Sequence, residues 1–153
     1  MKKLFGWALS IMCLAVGFPA TAQQPGKVAR IGYLTSSGNP FALEAFRQGL
    51  RDLGYIEGKN VVVEYRSADG NQGRIPGLVA ELVQLKVDVL FVTNLPAIRA
   101  AKQATKTIPI VMIISVDPVA NGIVDSLAHP GGNITGLSTL VRELSGKRLE
   151  LLK

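Results

Sequence analysis

The sequence predicts an α/β domain built on a doubly wound parallel sheet with strand order 2-1-3-4-5. Three observations carry this. Short runs of β-branched and apolar residues alternate with stretches of helical period. Two of those runs, Val87–Thr93 and Ile110–Ser115, are apolar enough to be buried on both faces. Most units are separated by Gly, Pro, Asn or Ser clusters. Strands that alternate with helices of about ten residues or more require a parallel sheet covered on both faces. Right-handed crossovers then leave few topologies.

The elements follow in order. Val28–Leu34 reads as the first strand, and Thr35–Pro40 as a polar loop. Leu43, Phe46, Leu50 and Leu53 share one helical face, and Gly54 ends that helix. Val61–Arg66 is a β-branched second strand; Ile75, Leu78, Val79, Leu82 and Val83 follow helical spacing. After the third strand, Pro96–Lys106 forms a helix with proline in its first turn. The fourth strand is followed by Asp117-Pro118, a cap and first-position proline, which predicts a helix to about Ala128. His129–Gly132 is a tight connection, Asn133–Leu137 a brief fifth strand, and Leu140–Lys153 an amphipathic helix.

The 153 residues suit one domain of ordinary size, and 48% of them are apolar, as a packed core needs. The net charge of +6 is scattered and carries no aromatic stacking set, so a nucleic-acid partner is not expected. Lys2-Lys3, the apolar run Leu4–Phe18 and Ala20-Thr21-Ala22 have the form of a signal peptide, with cleavage after Ala22. That run is too short to span a membrane. Residues 1–22 are therefore expected to be removed, leaving an extracytoplasmic, periplasmic chain. Cys13 lies within the leader, so the mature chain has no disulfide, and a single histidine argues against a transition-metal site.

Ligands of open parallel sheets bind beyond the carboxyl ends of the strands. That rule selects the loops Thr35–Asn39, Thr93–Ala97 and Ser115–Pro118. Ser36, Ser37, Thr93, Asn94, Ala97, Ser115 and Asp117 are the candidate ligand-binding residues. A carboxylate would suit the helix start at Thr93 and Ala97, and an amine would suit Asp117. Ser36, Ser37 and Asn39 serve equally well as caps, and Asp117 can cap, bind or do both. No nucleophile elbow, phosphate loop or dinucleotide fingerprint is present, so neither catalysis nor a cofactor is expected. His129 reads as a surface turn residue. Asn133-Ile134-Thr135 matches a glycosylation sequon, read as incidental in a strand.

Ile31–Leu34, Phe46–Gly58, Val61–Tyr65, Pro109-Ile110-Val111, Asp117-Pro118-Val119, Pro130–Gly136 and Lys147–Leu152 are distributed along nearly the whole mature chain. In these stretches the sequence resembles the ABC-transporter substrate-binding proteins of the type I periplasmic fold. The resemblance is to the group that includes tryptophan- and tyrosine-binding members. It implies a bilobed protein that closes on a small polar solute, an amino acid in the tryptophan- and tyrosine-binding members, and delivers it to an ABC permease in the inner membrane. By position it carries first-lobe contacts to Ser36, Ser37, Thr93 and Asp117, while Asn94-Leu95 stands where the family often has small residues. Such proteins run to about twice this length, as two lobes require. Residues 23–139 are then the first lobe, and 140–153 begin the crossover to a second lobe that is missing. The competing readings are a ligand-sensing module of a signalling receptor and an exported α/β enzyme.

Overall fold

The computed structural model describes residues 28–139. The predicted leader (1–22), the linker (23–27) and the predicted crossover helix (140–153) lie outside the described residues. The elements are β1 Ala29–Thr35, α1 Pro40–Asp52, β2 Val61–Ser67, α2 Ile75–Gln84, β3 Val89–Val92, α3 Leu95–Ala104, β4 Ile110–Ile114 and β5 Ile134–Ser138. A short 3-10 turn, Gln72–Arg74, precedes α2. The sheet order is β2-β1-β3-β4-β5 and every pairing is parallel, so the expected doubly wound topology is the one that forms.

Alternation along the strands divides the sheet into two unequal faces. One face carries Leu34, Leu90, Val92, Ile110 and Met112, and α2 and α3 cover it with Leu78, Leu82, Ala97, Ile98 and Ala101. Backbone and helix come close here. A Cβ on Gly32 would stand 3.0 Å from Leu90 Cδ2 and 3.3 Å from both Leu82 methyls. The opposite face carries Tyr33 and Phe91, stacked at 5.0 Å, with Phe46 of α1 edge-on to Tyr33 at 5.1 Å and Tyr65 at 5.7 Å. No residue of α1 is fully buried. Towards β5 the second face is open: Ile113 and its register partner Leu137 are both exposed.

One predicted element does not form. Residues 118–128 make turns where a helix to Ala128 was expected. Asp117 does cap: its Oδ1 accepts from the Val119 and Ala120 amides at 2.8 and 3.1 Å. One turn later Gly122 takes a positive φ of 65°, and the Ile123 amide returns to the Pro118 carbonyl at 2.8 Å. Continuing the helix would keep the chain from burying Pro118, Ile123 and Val124, all of which enter the core. That burial outweighs the local propensity. Elsewhere the boundaries move by a residue or two, as frayed ends do. β3 begins at Val89 where Val87 was expected, and α3 stops at Ala104 where Lys106 was expected.

Candidate functional site

In the observed order β1, β3 and β4 are consecutive neighbours. Their following loops therefore lie side by side on one edge, spread over about 10 Å at the usual strand spacing. Between β1 and β3 the chain direction divides. α1 leaves β1 for the face of Tyr33, and α3 leaves β3 for the face of Leu90. This is the switch point at which open sheets hold ligands.

The Thr93 hydroxyl donates to the Thr35 hydroxyl at that point, over 3.3 Å. Thr35 in turn donates to the Ser37 carbonyl at 3.0 Å, which bends the first loop back over the edge. The loop is also tied to the loop that follows β2: the Gly70 amide donates to the Ser36 carbonyl at 2.8 Å and the Ala68 amide to the Thr35 carbonyl at 3.0 Å. Asn39 then caps α1, accepting from the Phe41 and Ala42 amides. Ser36 is half-buried and Ser37 exposed at the rim.

Asn94 supplies the cap of α3. Its Oδ1 accepts from the Ala97 amide at 2.9 Å, so the donor expected at Ala97 is already engaged. Its Nδ2, the other half of the same amide, is buried and has no hydrogen-bond partner among the described residues. A buried donor left unpaired costs free energy until a ligand or water accepts from it. Ser115 is exposed at the end of β4, and Asp117 follows it. Asp117 Oδ1 is used in the cap, and its Oδ2 leaves a carboxylate oxygen at the rim.

The electrostatics beside the site are mild. The Ser67 hydroxyl and then the Arg74 guanidinium, 3.0 Å away, hold the Asp69 carboxyl below the usual carboxylate range. Burial, and secondarily Tyr65, pushes the Tyr33 phenol up. No cluster of metal-ligating side chains occurs among the described residues. His129 is exposed in a turn with Ser126, as expected. Asn133 of the sequon is half-buried, and its Nδ2 donates to the Ile108 carbonyl at 2.7 Å. Reading the sequence did not single out Thr35 as a site residue. Its partner lies 58 positions away and leaves no local signal.

A family profile, that of the ABC transporter substrate-binding proteins, matches residues 27–153. The chain belongs to this family. Among relatives of this substrate-binding family, the tyrosine-binding protein of Clostridioides difficile strain R20291 is 36% identical over 112 residues. A conserved-domain protein of Vibrio cholerae superposes with a TM-score of 0.70 at 38% identity over 83% of this chain. An ABC domain from Streptococcus pneumonia in complex with L-Trp superposes with a TM-score of 0.63 at 29% identity over 73% of this chain. The chain spans 32% of the tyrosine-binding protein, 43% of the Vibrio protein and 39% of the Streptococcus protein. Among the described residues, no helix of this family member is long and apolar enough to cross a membrane.

Proposed function

We propose that this chain forms the first lobe of an extracytoplasmic solute-binding protein that serves an ABC importer, and that it binds its solute without transforming it. The solute is an α-amino acid with an aromatic side chain. Its carboxylate accepts from Asn94 Nδ2 at the start of α3, where the helix end also favours negative charge. Its ammonium pairs with Asp117. Ser36, Ser37, Thr93 and Ser115 line the same edge and complete the polar contacts. The observation that carries this reading is the buried, unpartnered Asn94 Nδ2 next to the Thr35–Thr93 pair. The aromatic preference rests on the relatives, one named for tyrosine and one solved with L-Trp.

The leader 1–22 is cleaved after Ala22, and 140–153 begin the passage to a second lobe that closes over the solute. A single lobe binds weakly because it cannot enclose the ligand. The test is isothermal titration of the two-lobed parent with L-tyrosine and L-tryptophan, alongside Asn94→Asp. That variant keeps the helix cap and replaces the buried donor with an acceptor. Binding of either amino acid, lost in Asn94→Asp, is the expected result. Unchanged affinity in the variant would remove Asn94 from the site. Mass spectrometry of exported protein beginning at Gln23 checks the leader.

A further inference from the structure

The segment after Asp117 makes a single helical turn, with the Asn121 amide donating to the Asp117 carbonyl at 3.2 Å, and no ladder follows it, so the Gly122 and Ile123 carbonyls take donors from elsewhere. Lys102, on the second half of α3, supplies them. Its Nζ donates to the Gly122 carbonyl at 2.7 Å and to the Ile123 carbonyl at 2.9 Å. Arg99 lies one turn earlier on the same helix face and donates to Asn121 Oδ1 at 3.3 Å. Asn121 Nδ2 then donates to the Asp117 carbonyl at 2.9 Å. The turn is closed on itself by the Ile123 amide on the Pro118 carbonyl.

One rigid helix thus holds two loops of the edge. Asn94 caps its first turn through the Ala97 amide, and about 12 Å along the axis from Asn94, Lys102 grips the turn that begins at Asp117. We propose that Lys102 is a positioning residue of the binding edge, fixing the Asp117 turn relative to the α3 N-terminus by capturing the Gly122 and Ile123 carbonyls. The consequence for affinity rests on the amino-acid reading above; the ordering of the turn does not.

The test compares the wild-type protein with Lys102→Met, which keeps the aliphatic stem, and Lys102→Arg, which keeps a charged donor. Amide hydrogen exchange reads the turn without any ligand. Exchange at Val119, Ala120 and Ile123 should rise about tenfold in Lys102→Met, while β3 and α2 amides keep their protection. Affinity for L-tyrosine or L-tryptophan should fall about tenfold, equivalent to about 1.4 kcal/mol. Lys102→Arg should restore both. Unchanged exchange in the turn would overturn the proposal, as would faster exchange with unchanged affinity. Faster exchange throughout the chain would make Lys102 a general stabiliser and overturn it as well. Failure of the wild-type protein to bind either amino acid would sink the solute reading alone, and the exchange comparison would still decide the role of Lys102.

Discussion

Thr93 donates its hydroxyl to Thr35 across the junction of β1 and β3, at 3.3 Å. Thr35 ends β1 and Thr93 follows the last residue of its neighbour β3, and the helices after them depart to opposite faces of the sheet. The pair also links two loops. Thr35 holds the Ser37 carbonyl, and Thr93 immediately precedes the Asn94 cap.

Thr93→Val keeps the branched shape and deletes the donor. It should cost the fold about 1 kcal/mol, the net value of one hydrogen bond. Titration with L-tyrosine or L-tryptophan should show affinity reduced by a further factor of about ten. A urea melt and a binding isotherm on the same variant separate the two effects. An unchanged isotherm would take Thr93 out of the binding edge.

Gly136 has φ +147° and faces its register partner, where an added Cβ would collide with the Met112 carbonyl oxygen and stand 2.7 Å from the Met112 nitrogen. Gly136→Ala should therefore push β5 off β4 and cost about 3–5 kcal/mol in urea unfolding. Thr135→Ala, at the exposed neighbouring position, should stay within about 0.5 kcal/mol of wild type.

Leu90 is fully buried between Gly32 and the α2–α3 layer, whereas Leu137 is 69% exposed on the open face. Leu90→Ala should destabilise by about 2–5 kcal/mol. Leu137→Ala should change stability by less than about 0.5 kcal/mol. Equal losses at the two sites in denaturant titration would show that the open face is covered in solution.

Asp69 titrates below the usual carboxylate range because the Ser67 hydroxyl, and after it Arg74, favour the charged form. Its folded value lies below its unfolded one. The stabilisation is therefore fully present above the unfolded pKa and is lost as pH falls through the folded pKa. Carbon-detected NMR titration should place the Asp69 midpoint below the usual carboxylate range. Ser67→Ala should raise the Asp69 midpoint more than Arg74→Met does.

Most of the fold was legible because its signals are local. The apolar runs at Val89–Val92 and Ile110–Ile114 are strands whatever surrounds them, and Leu78, Val79 and Leu82 repeat at helical spacing under the sheet. The candidate edge was legible in outline for the same reason. Once strands alternate with helices in a parallel sheet, the loops after β1, β3 and β4 must share an edge.

Within that edge the local rules were insufficient. Asp117-Pro118 does start a turn, as its sequence demands, but the helix it promised gives way at Gly122. Burial of Ile123 and Val124 and the reach of Lys102 across 20 positions settle that segment. Asn94 rather than Ala97 is left with an unspent donor, because the cap consumes the Ala97 amide.

The sequence by itself determined most of the element order, the parallel sheet and which loops share an edge, since period, turn chemistry and crossover handedness are properties of neighbouring residues. Tertiary structure alone decided which hydroxyls meet, which amide stays unpaired and where the chain turns after β4. Those outcomes depend on partners up to 58 positions apart, and burial and hydrogen bonding between such partners exist only once the chain has closed on itself.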